Sequence, residues 1–157
     1  GLMAALTFIF TYTFKIPSPN GYTHLGDCFV LLGVLVLGRK KGALAGGIGA
    51  ALSDLLGGYM VWVLPTFFIK AIMAYVMGTI VEKVMPENKF NYIIGACIGG
   101  VIQIVLYTLV KVPLFGAVYA VTRMPGLTIQ TISGIVLTVI IVSVLDKAHV
   151  LKFVKEM

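Results

Sequence analysis

Charge is scarce in this chain. Only 11% of its 157 residues are Asp, Glu, Lys or Arg, against 59% hydrophobic. So small a polar complement cannot cover the surface of a water-soluble domain of this size, and the composition is that of an integral membrane protein. Two cysteines and two histidines build neither a disulfide framework nor a zinc site. Cys28 and Cys97 lie in apolar segments expected near opposite membrane faces, beyond bridging distance. The six acids are too scattered to pair for acid–base work. No HExxH, Walker A loop or serine elbow occurs, so no catalytic site, metal or cofactor is expected. Nor does a charged n-region or cleavage site mark a signal peptide. The net charge of +6 reads as membrane topology rather than as a nucleic-acid footprint.

What is present is a series of apolar segments, enough for about six spans of roughly 20 residues. Residues 1–157 read as one all-α domain, an integral membrane bundle of six transmembrane helices. The first segment, Leu2 to Phe14, ends at Lys15, Pro17 and Pro19. A polar loop follows, 18–24, whose Pro, Asn and Gly suit turns. The second segment, Cys28 to Leu37, stops at the basic run Gly38-Arg39-Lys40-Lys41-Gly42. The third, Ala43 to Leu56, carries a row of Gly42, Gly46, Ala50 and Asp54, small residues at intervals of four that let a neighbouring backbone approach. The fourth covers 57–82, the fifth Tyr92 to about Val110, with Gly95 and Gly99 as close-contact points, and the sixth Leu127 to Leu145. Residues 111–126 read as a long connection, and the charged tail 146–157 as lying along the membrane surface.

Alternating the loops between two sides, with the N-terminus cytoplasmic, puts Arg39, Lys40, Lys41, Lys83, Lys89, Lys147, Lys152 and Lys155 inside. Only Lys15, Lys111 and Arg123 fall outside, which obeys the positive-inside rule. Both termini are then cytoplasmic.

The sharpest anomaly is Lys70, near the centre of the fourth segment, where a cation finds no water. Spacings of three and four place Tyr59, Trp62, Thr66 and Lys70 on one helical face, continued by Met73 and Met77. That face suits the wall of a small, partly polar cavity. Lys70 either binds an electron-rich ligand group, pairs with Asp54, or snorkels to an interface. Asp27 reads as a cap of the second helix. Gln103, Tyr107 and Lys111 form a polar stripe on the fifth helix, and Gln130, Ser133 and Thr138 one on the sixth. These stripes face either the cavity or a partner helix. Tyr59 suits an interfacial aromatic belt, Trp62 the cavity. His24 either bonds a ligand or is solvated.

The combination of a small-residue first helix (Gly1 to Ala5), a polar loop leading into Leu25-Gly26-Asp27, the turn GRKKGALAGGIGAALSDLLGGY and PTFFIK in the fourth helix resembles the substrate-binding S component of energy-coupling factor (ECF) vitamin transporters. It is closest to the subgroup for hydroxymethylpyrimidine, pyridoxine, pantothenate and riboflavin. The resemblance implies a multi-pass protein of the bacterial cytoplasmic membrane. It would capture a vitamin, hydroxymethylpyrimidine or pyridoxine first, at the outer face. It would then hand it on through a transmembrane coupling protein carrying two cytoplasmic ATPases. It implies ligand contacts at Asn20, Tyr22, His24, Trp62, Thr66, Lys70, Gln103, Tyr107 and Gln130, and contact with the coupling protein at Gly1 and Ala5. Two other readings stay open: a small intramembrane lipid-modifying enzyme using Asp27 and Asp54, and a self-sufficient channel or exporter.

Overall fold

The computed structural model describes residues 1–18 and 21–147. Helix dominates, because long apolar runs in a membrane must satisfy their backbone groups internally. Helix α1 spans Leu2–Thr13, and a short antiparallel hairpin follows, β1 (Lys15–Ser18) and β2 (Gly21–His24), with Ile16 opposite Thr23 and Lys15 opposite His24. The polar loop expected from the sequence is thus largely strand. Isoleucine, tyrosine and threonine flank its turn residues, the composition a hairpin prefers.

Helix α2 (Asp27–Leu56) is broken at Gly38, whose φ of +78° belongs to a region that favours glycine. Its two arms, 27–37 and 39–56, fold back on one another. A Cβ on Gly42 would sit 2.6 Å from the Gly33 carbonyl oxygen and 2.6 Å from Val34 Cα. The second and third apolar segments are therefore a helical hairpin. The small-residue row serves as its seam at Gly42 and Gly46, the latter against Val30.

A 3-10 turn at Met60–Trp62 leads into α3 (Val63–Thr79), which widens to a π-helical turn over Ile80–Val84. Pro65 falls in the first turn of α3, where its missing N–H is harmless. Helix α4 (Asn91–Phe115) lies on α3, with Gly99 close to the Met73 carbonyl. It ends at Gly116, φ +89°. The stretch 111–126 is not an open connection: α4 runs on to Phe115, and α5 (Ala117–Thr122) and α6 (Met124–Lys147) follow almost directly. Pro125 stands in the first turn of α6, so it starts that helix rather than breaking it.

Among the described residues, three stretches are long and apolar enough to cross a membrane: Met60–Val84, Asn91–Phe115 and Ala117–Asp146. Large apolar side chains cover the outside. Leu64 and Ile129 are more than 60% exposed, which a bilayer tolerates and water does not. Inside, Val30, Leu31, Val34, Met73, Ala74, Met77 and Ala96 knit the α2 hairpin to α3 and α4. At one end of the bundle Arg39 pairs with Glu82, Nε to Oε2 at 3.3 Å, and its backbone N–H donates to Glu82 Oε1 at 2.6 Å. That end holds the basic run 39–41 and Lys83. The strand hairpin and the start of α6 lie at the other. Cys28 is buried and Cys97 exposed; both are free thiols.

Candidate functional site: a polar pocket above a buried ion pair

Lys70 is fully buried, and its partner is Asp27. Asp27 does not cap α2: the N-cap is Gly26, with no side-chain hydrogen bond there, and the carboxylate turns into the bundle instead. The Lys70 ammonium donates to Asp27 Oδ1 and to Gln103 Oε1, the latter at 2.6 Å. Gln103 Nε2 donates to Asp27 Oδ2 at 2.8 Å and to Thr131 Oγ1 at 2.9 Å, and Thr131 donates onward to the Leu127 carbonyl. Gln130 Nε2 adds a longer bond to Asp27 Oδ2, at 3.2 Å. Thus α2, α3, α4 and α6 each contribute one or more side chains to a single buried network of matched polar atoms, the condition under which buried charge is tolerable. Gly134 makes room for it, since a Cβ there would strike Asp27 Cβ at 2.6 Å.

Above this network, toward the strand hairpin, lies an open pocket, about 520 Å³ when the space open to solvent is counted. Trp62, Tyr107, Tyr119 and Leu127 supply its apolar surface, and Tyr22, His24, Asp54, Thr66, Lys111, Arg123 and Gln130 its polar groups. Trp62 packs on Tyr107 and Phe115, both with centroids 5.8 Å away, and Phe115 on Tyr119 at 5.2 Å. The Lys111 ammonium stands 5.9 Å from the Trp62 ring and 5.7 Å from the Tyr107 ring.

The hairpin supplies one side. Tyr22 donates its hydroxyl to Asp54 Oδ1 at 2.6 Å and lies 3.2 Å from Ser53 Oγ, while its ring rests on Tyr59 at 4.8 Å. Burial first, and the Asp54 charge second, push the Tyr22 phenol far above its ordinary value. His24 Nδ1 accepts from the Gly26 N–H at 3.1 Å, which makes the ring a neutral tautomer protonated on Nε2. Its backbone N–H donates to Gln130 Oε1 at 3.3 Å. Burial lowers the His24 pKa to about 4; the charge of Lys70 acts in the same direction and that of Asp27 against it. Tyr107 donates to Thr66 at 3.1 Å.

Of the residues expected at a site, Tyr22, His24, Trp62, Thr66, Tyr107 and Gln130 line this one pocket. Lys70 and Gln103 do not line it; they form the network beneath. Lys70 pairs with Asp27 rather than Asp54, because the start of α2 lies at its depth while Asp54 sits higher, bonded to Tyr22. Asn20 lies outside the described residues, as does most of the tail. Gly1, which caps the start of α1, and Ala5, in its first turns, are both exposed. Asp54, Lys111, Tyr119 and Arg123 also line the pocket, although they are not among the expected ligand contacts. A signal existed for two of them. Lys111 continues the four-residue stripe through Gln103 and Tyr107, and Asp54 ends the small-residue row.

A family model described as the S component of ECF-type riboflavin transporters matches residues 1–147. A protein of Pyrococcus woesei, described as an uncharacterized protein in a gap 3' region, is 31% identical over 122 residues, 78% of this chain and 80% of that one.

Proposed function

The chain belongs to the S-component family of ECF-type riboflavin transporters, and from that membership we propose which ligand it captures and how it delivers it. A member of this family is a multi-pass membrane subunit that captures a vitamin for an ECF transporter, and it is not an enzyme. The ligand proposed here is a small, flat heteroaromatic vitamin bearing hydroxyl groups. Riboflavin, named in the family description, and the smaller hydroxymethylpyrimidine and pyridoxine all share that chemistry. The observation that carries this reading is the pocket itself. It sets an aromatic wall among a small number of converging polar groups, the make-up of a small-molecule site. Trp62 and Tyr107 offer flat faces for a ring. The His24 Nε2–H, Gln130, Lys111 and Arg123 offer donors, and Asp54 an acceptor. Tyr22, His24, Trp62, Thr66, Tyr107 and Gln130 are the proposed contacts, and Asn20, outside the described residues, is proposed with them from the family resemblance. Lys70 and Gln103 hold the floor.

Six spans are proposed: α1, the two arms of α2, α3, α4 and α6. The basic end around Arg39–Lys41 and Lys83 is proposed to be cytoplasmic, along with both termini, so that the pocket opens outward. The exposed small residues Gly1 and Ala5 support a contact of α1 with the coupling protein, which would carry two ATPases. The test is uptake of radiolabelled riboflavin, pyridoxine and hydroxymethylpyrimidine by cells expressing this chain. One strain also carries the coupling protein and both ATPases; the other carries a Walker-lysine variant of the ATPases. Uptake of one vitamin in the first strain alone is expected. Uptake independent of the ATPases would instead favour a self-sufficient channel.

A further inference from the structure

Asp54 stands apart from the other buried charges. Asp27 is matched to Lys70, but Asp54, 3% exposed, has no cation within ion-pair distance among the described residues. Its Oδ1 accepts from Tyr22, while its Oδ2 has no hydrogen-bond partner. The Thr66 hydroxyl faces the same carboxylate without closing a bond of ordinary geometry on Oδ2. A buried acceptor left open is costly wherever it occurs. Asp54 is one of the residues that line the pocket, together with Trp62 and Tyr107 of the aromatic wall. The groups across the cavity, Lys111 and Arg123, are donors only, so Asp54 is the one carboxylate among the lining residues.

Resting on the vitamin-capture reading above, we infer that Asp54 Oδ2 is the specificity-determining acceptor of the pocket, taking a hydrogen bond from a ring-edge N–H of the ligand such as the imide of a flavin. Tyr22 acts through it as a positioning residue, fixing the carboxylate from the hairpin side by its bond to Oδ1. A ring whose N–H is methylated presents a methyl group to the carboxylate, leaves Oδ2 without a partner and is rejected. A neutral amide at position 54 would turn an N–H toward the ligand's own N–H and lose the preference.

The experiment is calorimetric titration of the purified, detergent-solubilised full chain, wild type and Asp54→Asn, with riboflavin, 3-methylriboflavin and pyridoxine. Wild type should bind riboflavin at least about tenfold more tightly than 3-methylriboflavin, the scale of one hydrogen bond to a charged acceptor. Asp54→Asn should weaken riboflavin by a similar factor and bring the ratio of the two flavins close to one. The wild-type comparison needs no variant, so misfolding of Asp54→Asn would not hide the answer. Equal wild-type affinity for both flavins overturns the inference, as does an unchanged ratio in a folded variant. Binding of pyridoxine without riboflavin overturns the imide assignment and leaves the capture reading standing. Binding of none of the three contradicts the capture reading itself.

Discussion

Replacing Lys70 by Met tests whether the buried pair is structural. Removing the ammonium leaves Asp27 with Gln103 and Gln130 as donors but no cation, at a position 1% exposed. Stranding one member of a buried pair costs about 3–5 kcal/mol, a large part of the roughly 5–15 kcal/mol that holds a typical domain folded. Asp27→Asn combined with Lys70→Met removes the charge as well, so the double variant should recover at least about 2 kcal/mol of the loss, within the usual range of coupling between contacting residues. Chemical unfolding in mild detergent, followed by circular dichroism of the helices, measures both. Ligand affinity would fall in Lys70→Met only as far as the floor of the pocket shifts, because Lys70 does not line the cavity. A Lys70→Met protein of wild-type stability that had lost all binding would refute this reasoning and restore the lysine as a direct contact. So would a double variant no better than the single.

Two further outcomes follow from the same geometry. His24 resists protonation down to about pH 4 in the folded protein, whereas an unfolded histidine takes a proton near pH 6.5. Its contribution is therefore complete above pH 6.5 and is lost progressively as pH falls to about 4, by roughly 3 kcal/mol at most. Unfolding of His24→Gln beside wild type across that window should show a flatter profile, and identical slopes would remove His24 as the cause, leaving its neighbour Asp27 as the group to test. Gly42→Leu should separate the arms of α2, since even a Cβ lands 2.6 Å from Gly33 O. A loss beyond the typical 1–3 kcal/mol of an overpacked core is expected in the same unfolding assay.

The sequence exposed the features that are anomalous in a bilayer and concealed the distances between them. Lys70 stood out because a cation in an apolar run is conspicuous whatever surrounds it. The facing of Trp62, Thr66 and Lys70, and of Gln103, Tyr107 and Lys111, followed from helical period alone. The partner of Lys70 did not, because periodicity ranks residues along one helix and is silent on the depth at which another helix begins. Asp54, on the preceding segment, reads as the partner and Asp27 as a helix cap, but the α2 hairpin sets Asp27 beside Lys70 and Asp54 beside Tyr22. The strand hairpin was obscured by its own turn residues, and the helical continuation past Val110 by Pro113 and Gly116. Pro113 lies close to the helix end, where Gly116 then stops it.

The most direct measurement is the vitamin content of the chain as purified. Gently solubilised protein, extracted under denaturing conditions and analysed by mass spectrometry, should release a flat, hydroxylated heteroaromatic vitamin. A Trp62→Ala protein prepared in parallel should release much less. Titration of the emptied wild-type protein with that vitamin should give one site per chain. Extracts free of any such molecule, together with no binding of riboflavin, pyridoxine or hydroxymethylpyrimidine to the emptied protein, would contradict the account.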